Sequence, residues 1–241
     1  MRRLIYIPII HLSADLGEIA GEVNKKGQFL VGNDRWRTHL DTIMGFWDAV
    51  ARYLDNLEAE NLKIYQDGLM INGTIAQRIV DDGVKRKSKN YEIISRLLDR
   101  GARLIRTEDF PLVKKEYDRV MAIVRADRIT KKIMAVLAYR FQKKRILRKR
   151  DLFIARVIDK TLKEGETGIL FLGADHDILP KLPKDIKITE LKKREKLREY
   201  QRRFSSEKSR GRVAHLAEYL TSQIEYAGPQ PFTMSPEEGL T

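Results

Sequence analysis

Residues 168–172, Gly-Ile-Leu-Phe-Leu, form an apolar run bounded by Gly165 on one side and by Gly173-Ala174-Asp175-His176-Asp177 on the other. The stretch before it, 112–164, is helical in pattern and holds no Gly or Pro. A run of five apolar residues between Gly-containing breaks is too short for a helix of its own and reads as a strand buried on both faces of a parallel sheet. In an open α/β sheet, ligands and chemistry lie just beyond the carboxyl ends of the strands, and His176 falls there. Gly173 lets the backbone leave the strand closely, which places a titratable imidazole at a strand tip.

The same unit recurs along the chain. Short apolar runs at 4–10, 62–65, 102–106 and 186–190 each end in polar residues, and helical segments separate most of them. Strands alternating with helices predict an α/β fold, a mainly parallel sheet with helices on both faces, followed by a helical C-terminal extension. The expected organisation is an α/β domain over 1–190, a basic helical extension over 191–226 and a flexible tail over 227–241, which holds three prolines. The polar, Gly-containing stretch 17–33 reads as a loop long enough to serve as a lid. A helix runs from about 33 to 60, with Trp36 and Trp47 on its apolar face. One or two helices occupy 69–101, with Gly101 as the C′ residue, and 111–164 is one helix or two.

Parallel strands present their carboxyl ends on one rim, so the residues following four of them should converge. They are His11, Asp67, Glu108 and His176, the candidate catalytic set, with His11 and His176 as candidate metal ligands. Two imidazoles and two carboxylates suit a Zn, Mn or Fe-type ion better than Mg or Ca. Structural roles compete with these. Asp67 before Gly68 is a common turn pair, and Glu108 stands where it would cap a helix beginning near Pro111. His39 and His215 lie inside helical segments and read as structural or solvated.

The segment Arg150-Asp151…Ile154-Ala155…Gly173-Ala174-Asp175-His176 resembles the superfamily of erythromycin esterases, ChaN-like haem-binding proteins, TraB/PrgY proteins and TIKI proteases. There an Arg/Asp-containing helix leads into a strand closed by Gly-x-x-His. The superfamily's histidine after the first strand corresponds to His11 in Pro8-Ile9-Ile10-His11, without the usual glycine. Its acidic residue after the second strand corresponds to Asp67, where Glu is usual. The resemblance spans about residues 4–190 and implies an α/β fold and, in the enzymatic branches, hydrolysis, metal-assisted in some and metal-free with a His general base in others; the expected substrate is an ester or peptide that the resemblance does not specify. The ChaN branch implies instead a carrier of haem or metal without turnover.

A formal net charge of +13 supports a rival reading. Positions 143–150 hold six basic residues in eight, and 181–212 hold 13 basic against 5 acidic. These helices suit nucleic acid, a phosphorylated ligand or a substrate funnel, although only Tyr200 and Phe204 accompany the second cluster as stacking residues. There is no cysteine, so thiol nucleophiles, disulfides and Cys-based zinc sites are excluded. No Walker A, G-x-G-x-x-G or H-E-x-x-H motif occurs. The apolar start after Met1-Arg2-Arg3 is short, contains Pro8 and lacks a cleavage site, and no run is long enough to span a membrane. The expected location is cytoplasmic.

Overall fold

A computed structural model describes residues 1–11, 15 and 20–225; the start of the loop expected at 17–33, residues 17–19, and the tail expected at 227–241 lie outside the described residues. Five strands, β1 (Arg2–Ile9), β2 (Leu62–Gln66), β3 (Arg103–Ile105), β4 (Thr167–Gly173) and β5 (Ile186–Glu190), form one sheet in the order β3-β2-β4-β1-β5. Every pairing is parallel. The helices are α1 (Ala20–Val31), α2 (Asn33–Asp55), α3 (Gly73–Lys85), α4 (Lys89–Asp99), α5 (Phe110–Val124), α6 (Ile129–Thr161), α7 (Arg194–Arg203) and α8 (Arg210–Thr221).

The strand order dictates which face each helix covers. From β1 to β2 to β3 the chain moves toward one edge, and from β3 through β4 to β5 it moves back. Right-handed crossovers travelling in opposite directions must lie on opposite faces. Accordingly Ile5, Ile7, Ile9, Ile64, Ile169 and Phe171 pack under α2, α3 and α4, where α7 and α8 join them through Leu197, Tyr200, Leu216 and Leu220. The alternate residues Leu4, Tyr6, Tyr65, Leu170 and Leu172 pack under Ile154, Ala155 and Ile158 of α6. Both faces of β1 and β4 are therefore buried, which is why those strands read as continuous apolar runs. The direction of travel reverses between the neighbours β1 and β4, and the crevice beyond their carboxyl ends is the place such a sheet offers a ligand.

Two helix starts are set by their caps. The Ser88 hydroxyl accepts from the Tyr91 amide at the head of α4, and Asp109 accepts from the Leu112 amide, 3.2 Å away, at the head of α5. The cap of α5 is thus Asp109 rather than Glu108, which leaves Glu108 for another role. Gly101, at φ 100°, ends α4 in the left-handed region. The stretches 69–101 and 111–164 each hold two helices, and α2 ends at Asp55.

The lid-like loop called at 17–33 is corrected: from Ala20 to Val31 the chain is helix α1. Its glycines do not prevent this, and one of them makes the packing. The Trp36 ring of α2 lies against Gly27, where an added Cβ would come within 2.3 Å of it. The gain in aromatic packing offsets the roughly 1 kcal/mol that a glycine costs inside a helix.

Candidate functional site

The site is built from the tips of β1, β2 and β4 and from two consecutive residues of α6. Along α6 the buried positions Ile146, Arg150, Ile154 and Ile158 recur every fourth residue, so Arg150 occupies a place in the stripe that packs on the sheet. Its guanidinium emerges beneath the strand tips. There it donates to Asp67 Oδ1 at 2.5 Å, to both oxygens of Glu108 and to Glu116. Asp151, the next residue, is also buried and accepts a hydrogen bond from His176 Nδ1 at 2.6 Å. The other oxygen of Asp151 accepts from the Asp177 amide and lies 3.4 Å from Lys181 Nζ. One helical turn thus holds the carboxylates after β2 and β3 with one residue and the histidine after β4 with the next.

His176 is 3% exposed, and its position is fixed from several directions. A turn bonds its amide to the Gly173 carbonyl. Arg194 and Arg198 of α7 donate to its own carbonyl at 2.7 and 3.1 Å, and Arg198 also donates to the Ala174 carbonyl. With Nδ1 hydrogen-bonded to a carboxylate, Nε2 of the neutral ring carries the lone pair. It lies 3.8 Å from Asp67 Oδ2, beyond direct hydrogen-bonding distance and within the span of one bridging water. Asp67 Oδ2 also accepts from the Gly173 amide at 3.0 Å. A Cβ at Gly173 would lie 3.2 Å from Asp67 Oδ2, a tight contact that would require the carboxylate to shift by a few tenths of an ångström.

The charges follow from these contacts. Burial pushes Asp67 up, but His176, Arg150 and the Gly173 amide together hold it below the usual carboxylate range. Asp151 is held down likewise, by His176, the Asp177 amide and Lys181 against its burial. Glu108 moves the other way. It is completely buried, and burial with the nearby Asp67 charge outweighs Arg150 and raises it.

Three of the four residues expected to converge, His11, Asp67 and His176, line a single cleft of about 650 Å3. Glu108 does not line it; the structure places this residue behind Arg150 as a buried counterion. After β3, an edge strand only three residues long, the chain is tied to the turn that follows β2, the Thr107 and Glu108 amides both donating to the Leu69 carbonyl, and from there the Glu108 side chain meets Arg150. His11 stands at the mouth of the cleft with its side chain 54% exposed and its Nδ1 3.8 Å from Asp15 Oδ2. Partial desolvation lowers it, and the Asp15 carboxylate more than reverses this, so it titrates above its ordinary value. Val113, Tyr117, Val120 and Leu147 give the cleft an apolar wall, and Tyr139 and Lys143 complete that side.

The donor set does not fit the expected metal centre. Both oxygens of Asp67 and Nδ1 of His176 already have protein partners, which leaves two imidazoles as uncommitted donors. Among the described residues no group of three or more His, Asp or Glu side chains is placed to hold a metal ion.

Some of the basic residues of 181–212 are used inside the protein. Arg194 and Arg198 hold the His176 loop, Lys181 faces Asp151, and Lys192, 3% exposed, donates to Tyr219 O, Ser222 O and Ser222 Oγ. His39, half-buried, bonds through Nδ1 to the Tyr200 hydroxyl at 2.9 Å, and His215 is exposed; both lie outside the cleft. Among the described residues no helix is long and apolar enough to cross a membrane.

With the geometry in place, the chain was compared with known proteins. No family model, curated protein or solved structure matches it.

Proposed function

We propose that this protein is a hydrolase of the kind its motifs resemble, the erythromycin-esterase, TraB and ChaN group, acting on an ester or peptide. In this reading His176 is the general base. The observation that carries it is the Asp151–His176 hydrogen bond of 2.6 Å, with Nε2 3.8 Å from Asp67 Oδ2, close enough for one water beside them to bond to both. Asp151 fixes the ring orientation and the tautomer that leaves Nε2 basic, and it stabilises the imidazolium when that forms. A water bonded to both Nε2 and Asp67 from the cleft side gives its proton to Nε2 as its oxygen bonds to the substrate carbonyl carbon. The resulting tetrahedral adduct collapses by breaking the bond to the leaving oxygen or nitrogen, which takes the proton back from His176. His11, held above its ordinary value by Asp15, is placed at the mouth to stabilise negative charge on the substrate or assist protonation of the leaving group. Arg150 positions Asp67 and keeps it ionised. The wall of Val113, Tyr117, Val120 and Leu147 favours a substrate with an apolar part beside the scissile bond.

The test is hydrolysis of a panel of aryl and alkyl esters and short peptides by the purified protein. Replacing His176 with Ala should lower kcat/KM by about 10²- to 10⁴-fold, the usual contribution of a general base. His11→Ala with His176→Ala should cost little more than His176→Ala alone, because residues acting as a unit are not additive. Full turnover by a folded His176→Ala protein would overturn the assignment. So would a wild type that turns over nothing in the panel yet retains a metal or haem that His176→Ala loses.

A further inference from the structure

The hairpin of α5 and α6 carries a surface that the cleft does not use. Among its residues α5 has none that is buried, and the buried residues of α6 begin only at Ile146. The first half of α6, roughly 25 Å of helix, therefore has no buried residue; α5 packs along it, and Tyr139 and Lys143 near its end face the cleft. On this half Ile129, Ile133, Leu137 and Phe141 recur every fourth residue, and they are 78%, 53%, 48% and 84% exposed. Met134, 70% exposed, widens the same stripe. The half-buried Ala135, Val136, Ala138 and Tyr139 lie on the opposite side of the helix. Five large apolar side chains thus face outward in a contiguous row, whereas an ordinary surface scatters them singly.

The charge around the row says what covers it. Residues 110–149 hold 13 basic and 3 acidic side chains, a net of +10 out of the whole chain's +13. Lys131, Lys132, Arg140, Lys144, Arg145 and Arg148 flank the stripe, and all six are exposed. An exposed apolar row rimmed by Lys and Arg is the pattern of a helix lying in the interface of an anionic lipid surface, with the apolar side chains among the acyl chains and the cations at the headgroups. A second copy of the chain is disfavoured, since it would bring two hairpins of net +10 together. Nucleic acid would use the cations, but four of the five apolar side chains are aliphatic and have no ring to stack on a base.

We infer that the α5–α6 hairpin is a docking surface for anionic phospholipid membranes. Val113, Tyr117, Val120 and Leu147 of the same hairpin line the cleft, so docking would place its apolar wall next to the bilayer. The inference stands on the exposed face and its charge and does not depend on the hydrolase assignment.

The experiment is co-sedimentation of the full chain with vesicles of phosphatidylcholine alone and of phosphatidylcholine containing about one third phosphatidylserine, at low and raised salt. Binding to the anionic vesicles only, weakened by salt, is expected. Leu137→Gln with Phe141→Gln keeps good helix formers on an exposed face and should weaken binding about tenfold or more. Lys144→Glu with Arg148→Glu should weaken it by at least a similar factor, since each cation near such a surface contributes about fivefold. Absence of binding to the anionic vesicles would overturn the inference, as would binding that the apolar pair does not alter. Two further results would overturn it in favour of another occupant. One is a concentration-dependent dimer, seen by sedimentation velocity, that the Leu137/Phe141 substitutions dissolve. The other is retention of DNA or RNA that excludes vesicles and survives those substitutions.

Discussion

The centre of the candidate site is a buried arrangement in which one cation, Arg150, serves Asp67, Glu108 and Glu116, and one carboxylate, Asp151, serves His176. Removing one member of a buried ion pair leaves an uncompensated charge and costs more than the pair itself contributes. Asp151→Asn should therefore lower both stability and turnover. Its pH dependence gives a sharper check. The folded protein holds Asp151 below its unfolded value of about 3.9, so the stabilisation is fully present above that value and is lost as pH falls through the lower folded one. The difference in Tm between wild type and Asp151→Asn should narrow below about pH 4, and a difference that widens there would contradict the assignment. A second titration tests the other side of the molecule. Burial lowers His39 to about 4, between Tyr200 and Phe204. The unfolded chain binds this proton from about pH 6.5 downward and the folded chain does not, so stability from the neutral ring is lost as pH falls across that window. Wild type should lose more Tm than His39→Phe between pH 7 and 5, and equal losses would mean that the ring titrates normally.

At the scale of elements, the alternation of short apolar runs with helices was enough to define all five strands, four of them to within a residue at each end, because polar residues or Gly bound each apolar run where the strand stops. Helix α1 was not legible. Gly21 and Gly27 read as a loop, and the fact that makes it a helix is the Trp36 ring lying against Gly27 from another helix. Gly27→Val should displace α1 from α2. Hydrogen exchange across 20–31 should then speed up while exchange in β4 is unchanged, and unaltered protection of 20–31 would show that α1 does not depend on that contact. The Arg150-Asp151 pair had a signal that could have been read further. An arginine at the spacing of Ile146, Ile154 and Ile158 occupies a core position, and a charge there requires buried partners. Which partners these are was not written in the helix, because they come from strand ends far along the chain, Asp67 and Glu108 at 83 and 42 residues before Arg150 and His176 at 25 residues after Asp151.

For the whole molecule, stability should rest on the sheet and its two covering layers and hardly at all on the outer face of the hairpin. Leu170→Ala, in the central strand, should cost about 2–5 kcal/mol in denaturant unfolding, whereas Leu137→Gln should fall within about 0.5 kcal/mol of wild type. A large loss from Leu137→Gln would mean that this face is covered within the chain itself. The sequence by itself determined the α/β class, the parallel sheet and the strand tips carrying His11, Asp67 and His176, because local apolar patterning and strand ends are properties of contiguous residues. Only the tertiary structure decided that Glu108 stands behind Arg150, that Arg194 and Arg198 out of the cations of 181–212 hold the His176 loop, and that most cations of 110–149 are exposed beside an apolar row. The two basic clusters look alike in sequence. What separates them is whether backbone carbonyls and carboxylates are brought within reach of each cation, and that depends on which elements pack together.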